Sequence, residues 1–135
     1  MSGIRYREGY NYVLHEDHVE NTSIKPGGFI LTTFIRLDTD GVLWLRAGYA
    51  WDGASGPAID TRNFMRASLV HDALYQLMRE GHLEQRWREA ADRELVRICK
   101  EAGMWALRRA WVYAAIRVAG AQYAQPQPDE ILSAP

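Results

Sequence analysis

The sequence predicts an α+β fold, a small antiparallel sheet in the N-terminal part followed by a three-helix C-terminal half. Three observations lead there. Apolar, β-branched and aromatic runs separated by turn residues fill the first third of the chain; beyond the glycine-rich stretch "GYAWDGASGP" the apolar period lengthens to that of helices; and Gly81 and Gly103 divide that second region into three. The runs "YNYVLH", "GFILTTFIRLD" and "GVLWLRAGY" read as strands, and Asp40-Gly41 between the last two is a hairpin signal. Pro57 and the Asp60-Thr61 pair supply a helix start, so a first helix is expected from roughly 61 to 80, ending near Gly81. A second is expected from about 83 to 102, stopping at Gly103, and a third from about 104 to 123. Residues 1–124 then form a single domain, and residues 125–135, with two alternating prolines, form a flexible tail.

Composition narrows the function classes. Of the 135 residues 47% are apolar, with five Trp and seven Tyr, enough for a core that needs no staples. A net charge of −1 gives no general electrostatic drive toward nucleic acid, which is not expected as a partner. The single Cys99 excludes an intramolecular disulfide, and "MSGIRYREGYNY" lacks the apolar core of a signal peptide, so a cytoplasmic location is expected. The longest apolar stretch, "MWALRRAWVYAAIRVAGAQYA", carries Arg108, Arg109 and Arg117, each costly at a bilayer centre, so no transmembrane segment is expected.

Within "SLVHDALYQLM" a His–Asp pair interrupts an apolar run. Phe64, Ala67, Leu74, Tyr75 and Met78 stand at helical spacings from His71, which places the imidazole on the buried stripe, where it needs a partner. Folding the chain at Gly81-His82 brings residues equidistant from the turn level with each other, and Asp92 in "EAADREL" is nearly equidistant with His71. Ala90 and Ala91 beside it let the two helices approach. A carboxylate facing the ring across that seam fixes its tautomer. Tyr75, one turn beyond His71, reaches the same place. Two readings remain: a structural polar pair, or a general base (His71) oriented by Asp92 and Tyr75, with Asp72, about 100° around the helix, pointing beside it as a metal ligand.

The stretch "GYAWDGASGP" holds three glycines, a carboxylate (Asp52), a hydroxyl (Ser55) and two aromatics. Glycines such as Gly53 let carbonyls turn inward, and hard cations take carbonyl and carboxylate oxygens, so Asp52, Asp72 and loop carbonyls make a calcium ligand set. The alternative is an ordinary connection, with Trp51 in the core and Asp52 in an Asx-type turn.

The order "GYAWDGAS-GP", "LVHDALY", "AADREL" and "WVYAAIRVAG" resembles the phage and prophage proteins grouped as domain-of-unknown-function family 1353. The likeness covers residues from about 25 to 120. Their pattern is a Gly-Phe-x-x-Asp-x-Ala-Ser-x-Pro loop, a His-Asp-x-Leu-Tyr helix, an Ala-Asp pair and a Tyr-x-x-x-Arg helix; here Tyr49 stands where Phe is usual. The resemblance implies a phage or prophage origin, hence a location in the host cytoplasm or on the virion. Locally, "HDALY" with Asp92 is similar to the active site of secretory phospholipases of the A-two class. That likeness implies His71 as the base, Asp72 as a calcium ligand, Tyr75 and Asp92 as supports, and calcium-binding carbonyls from Tyr49 to Gly56. The disulfides and the Cys-Gly-x-Gly loop of those enzymes are absent.

Elsewhere, "LHEDHVE" gathers His15, Glu16, Asp17, His18 and Glu20, more readily a solvated turn than a transition-metal site. On the third helix Arg109, Tyr113 and Arg117 form a basic face opposite Trp111, Ala114, Ala115 and Val118. The expected arrangement puts the apolar side in the core and the arginines in solvent or on Glu89 or Glu94; the alternative uses the basic face against anionic head groups or an acidic partner. The expectation as a whole is a calcium-assisted, phospholipase-like hydrolase of a lipid or envelope ester. A non-catalytic virion or tail accessory protein, or one that binds a host factor, is the competing expectation.

Overall fold

The structure is a computed structural model, and it describes residues 6–7, 12–51, 62–120 and 124. Among the described residues seven short strands, β1 (Tyr6–Arg7), β2 (Tyr12–Leu14), β3 (His18–Asn21), β4 (Ile30–Leu31), β5 (Ile35–Leu37), β6 (Val42–Leu45) and β7 (Ala50–Trp51), precede the helices α1 (Arg62–Arg79), α2 (Arg88–Glu101) and α3 (Ala106–Ala119). The α+β class and the order of its parts are as the sequence predicts.

The strands form two antiparallel sheets where one was expected: β1-β2-β7, and β3-β6-β5-β4. The long run "GFILTTFIRLD" is two strands, not one, because Thr32 turns the chain. Its hydroxyl accepts the Ile35 N–H at 3.1 Å while its own N–H donates to the Ile35 carbonyl at 2.8 Å. The Asp40-Gly41 hairpin forms as predicted. The Asp38 carboxylate accepts from the N–H groups of Asp40 and Val42, and Gly41 adopts φ +92°, where a Cβ would collide with the Thr22 carbonyl.

Alternation along the strands puts Leu14, Ile35, Leu37, Leu43 and Leu45 on the inner faces, and α1 supplies Leu69, Leu74, Leu77 and Met78 to the same core. Gly81 at φ +80° ends α1. The chain then makes one short 3₁₀ turn (Gln85–Trp87) before α2, so the second helix starts later than expected. Pro57, Asp60 and Thr61, expected at the start of the first helix, and the expected tail 125–135 lie outside the described residues. α2 packs between α1 on one side and α3 on the other.

A buried ion network fastens the four-stranded sheet to the helices. Glu20 on β3 accepts from Arg66 of α1 (2.9 and 2.5 Å) and from Arg97 of α2 (3.3 Å), and Ser23 donates to Glu94 of α2 at 2.8 Å. His18 joins it through Nε2 at 2.9 Å from Glu20, so this part of "LHEDHVE" belongs to an ion network. Among the described residues no helix is long and apolar enough to cross a membrane.

Candidate functional site

The helical hairpin brings His71, Tyr75 and Asp92 together. Asp92 has no exposed surface, and Ala91 beside it is fully buried between the helices. The imidazole Nε2 lies 2.7 Å from Asp92 Oδ1, and the Tyr75 hydroxyl donates to the same oxygen at 2.6 Å. The Tyr75 ring packs on the imidazole, centroids 4.1 Å apart and tilted by 36°. His71 is 5% exposed and Tyr75 3%, so both partners of this carboxylate oxygen are buried.

The other carboxylate oxygen belongs to residues the sequence reading did not assign to the site. Arg117 of α3 donates to Oδ2 at 2.7 Å, and Arg88, one turn before Asp92 on α2, stands 3.9 Å from the same oxygen. Gly120, just past the end of α3, lies so close that a Cβ there would be 2.8 Å from the Tyr75 hydroxyl. The signal for Arg117 was present in the Tyr-x-x-x-Arg element of the pattern, which here is Tyr113 to Arg117. Nothing in the local sequence marks Arg88 or Gly120.

Burial pushes the Asp92 carboxyl up, but hydrogen bonds from His71 and Tyr75 and the bond from Arg117 outweigh it, and its pKa lies below the ordinary Asp value. Burial and the bond to the Asp92 carboxylate raise the Tyr75 hydroxyl well above the ordinary Tyr value, so it stays a donor. An ionised carboxylate only accepts, so Nε2 carries a proton, and in the neutral form of the ring the lone pair is on Nδ1.

The remaining expected site residues divide. Asp72 is half-buried on α1, next in the chain to His71. Trp51 is 3% exposed, its ring tilted against Tyr12 and its indole N–H donating to the Ser68 hydroxyl at 3.0 Å, which makes it a packing residue tying β7 to α1. Asp52, Gly53 and Ser55 lie outside the described residues. Among the described residues no group of three or more His, Cys, Asp or Glu is placed to hold a metal ion.

The third helix is rotated relative to expectation. Its basic side turns inward, with Arg109, Tyr113 and Arg117 half-buried, and Arg117 pairs with Asp92, not with Glu89 or Glu94. Its apolar side faces solvent: Trp111 is 48% exposed and Val118 85%. The cause is the buried carboxylate, which requires a cation on the face that α3 presents to α2.

Fold and site together define a class: a small α+β domain in which a helical hairpin and a third helix close on one buried, ionised carboxylate that orients a histidine. The chain belongs to the family described as "Protein of unknown function (DUF1353)", whose model matches residues 30–116, from β4 to the last turn of α3. No curated protein and no solved structure matches it.

Proposed function

We propose that this is a phage-encoded hydrolase in which His71 acts as general base on an ester of a lipid or envelope component. The observation that supports this reading is the Nε2–Asp92–Tyr75 arrangement, which leaves Nδ1 as the basic nitrogen and holds a full negative charge behind the ring. Nδ1 takes a proton from water as the water oxygen bonds to the ester carbonyl carbon. Asp92 stabilises the imidazolium that forms, and Tyr75 and Arg117 keep Asp92 in place. On collapse of the tetrahedral adduct the proton on Nδ1 passes to the leaving alkoxide. Asp72 is the donor type that a hard cation takes, and Asp52 and the Gly53 carbonyl are assigned with it as calcium ligands. Calcium, when bound, supplies positive charge for the developing oxyanion. The protein acts in the host cytoplasm or on the virion.

One observation favours a second reading. His71 is 5% exposed and both oxygens of Asp92 are engaged, which suits a network that only fixes the packing of three helices in a non-catalytic virion, tail or host-binding protein. The two readings separate in one experiment. Hydrolysis of p-nitrophenyl esters and of phospholipid vesicles is measured with and without calcium, for the parent, His71→Gln and Asp72→Asn, alongside calcium titration calorimetry and thermal melts. The hydrolase reading expects calcium-dependent turnover, reduced at least about 100-fold in His71→Gln with a folded protein, and calcium binding lost in Asp72→Asn. A parent without turnover or calcium binding, and a His71→Gln that only melts earlier, refutes it in favour of the packing reading.

A further inference from the structure

We propose that the outward face of α3 is the contact between two copies of this chain, packed antiparallel about a two-fold axis that passes between Trp111 and Ala114. Leu107, Trp111, Ala114 and Val118 follow one another at spacings of four, three and four, the seam spacing of a helix that packs on a helix. All four are exposed, Leu107 by 82%, Trp111 by 48% and Val118 by 85%. The opposite side of the helix is the one in the core, where Val112 is 1% exposed and Ile116 packs against buried residues. Isolated surface leucines need no explanation, but a continuous stripe with a tryptophan at its centre marks an interaction surface.

The stripe is complementary to itself. In an antiparallel pair the residues that come level are those placed symmetrically about its midpoint: Leu107 against Val118 of the second copy, and Trp111 against Ala114. The largest side chain of each seam therefore faces the smallest of the other, twice, by one symmetry operation, as an isologous interface requires. A parallel pair would set Trp111 against Trp111.

The charges fit the same arrangement. α3 carries three arginines and no acidic residue, so a second copy is acceptable only if its cations are kept apart. On one flank of the seam the side chains are Arg108 and Ala115, and on the other Ala110 and Arg117. The two-fold axis places each arginine beside an alanine of the partner. The symmetry-related arginines are about nine residues apart along the helix axis, roughly 13 Å, beyond the screening length at physiological salt. Arg117 is in addition neutralised by Asp92 in its own chain.

The area sets the strength. The four seam residues expose on the order of 400 Å² per copy, and with the stems of the flanking arginines a pair buries about 1,000 Å² in total. That is the lower limit for a specific interface, so the expected dimer is reversible, with a dissociation constant in the micromolar range.

Sedimentation velocity on the full chain, from about 1 to about 200 µM, tests the proposal. A monomer–dimer equilibrium is expected, weakened at least about tenfold by Ala114→Arg, a substitution at an exposed position that leaves the circular dichroism spectrum unchanged. Ala114→Trp alone weakens association, and Ala114→Trp with Trp111→Ala restores it, because the large and small partners are only exchanged. A chain that stays monomeric throughout overturns the proposal, whether or not the monomer co-sediments with anionic vesicles. So does association that Ala114→Arg leaves intact, or a double exchange that is weaker than the single one.

Discussion

Asp92→Asn tests the centre of the network. The parent carboxylate is fully enclosed, with His71 and Tyr75 on Oδ1 and Arg117 on Oδ2 at 2.7 Å. Asparagine keeps the shape and one acceptor oxygen, so the bonds from His71 and Tyr75 survive, but its amide nitrogen then faces the Arg117 guanidinium, donor against donor. A charge-assisted hydrogen bond contributes about 1.5–3 kcal/mol, and breaking a buried ion pair from one side costs about 3–5 kcal/mol. Arg117 keeps 30% of its side chain exposed and can regain water, which puts the expected loss at the lower end, about 3 kcal/mol. At about 3–4 °C per kcal/mol for a chain of this size, the melting temperature falls by about 10 °C. Urea denaturation followed by circular dichroism measures it, within a double-mutant cycle that includes Arg117→Met. Arg117→Met destabilises the parent but relieves Asp92→Asn, a coupling above about 1 kcal/mol. A loss under about 1 kcal/mol with additive effects would refute the assignment of Asp92 as an ionised carboxylate stabilised by Arg117.

Three further outcomes are expected. Glu20 is pushed up by burial but brought down to about 2 by the bonds from His18 and Arg66, below its ordinary 4.5. The unfolded chain therefore takes the proton first, and the contribution of Glu20 is intact above about pH 4.5 and is lost as pH falls toward 2. Urea midpoints measured across that window fall steeply for the parent and less steeply for Glu20→Gln; parallel slopes contradict the network. Cys99 is fully buried, and burial raises its thiol to about 11, so modification by a disulfide reagent at neutral pH proceeds at the rate of unfolding and accelerates with urea, whereas fast labelling of the folded protein contradicts its placement. Gly120→Ala puts a Cβ against the Tyr75 hydroxyl and the Ile116 carbonyl, and a cost of about 2 kcal/mol is expected, partly relieved in a Tyr75→Phe background where the hydroxyl is gone; a neutral Gly120→Ala shows that this approach is not tight.

The parts of the molecule that could be read from sequence are those fixed by local rules. Gly81 and the periodicity on either side of it determine the register of α1 on α2, and that register alone brings His71 and Tyr75 to Asp92. Asp40-Gly41 likewise fixed one hairpin. That "GFILTTFIRLD" is two strands was not legible, because Thr32 reverses the chain with side-chain bonds inside what reads as one apolar run. Arg117 was misplaced for a different reason: apolar periodicity says that a helix has two sides but not which one a distant, buried charge will attract. Arg88 and Gly120 act only through contacts between elements, which no spacing within a single element reveals.

The site and the exposed seam are two consequences of one charge. With Asp92 enclosed between α1 and α2, a cation must reach Oδ2, and α3 supplies it by turning Arg117 inward. A helix has one rotation, so placing Arg117 on α2 carries Leu107, Trp111, Ala114 and Val118 to the far side, into solvent. The opposite rotation would bury that stripe but bring Val112 and Ile116 out of the core and take Arg117 from Asp92, leaving Arg88 at 3.9 Å as the cation on Oδ2, and that loss of pairing and packing costs more than an exposed apolar face. A second copy of α3 removes the conflict, since the stripe is then covered while Arg117 stays on Asp92. The same logic predicts that Asp92→Leu combined with Arg117→Leu, which dispenses with the charge, weakens self-association, because α3 is then free to turn its apolar stripe toward α2; dimerisation that persists in that variant would show that something other than the carboxylate sets the rotation of α3.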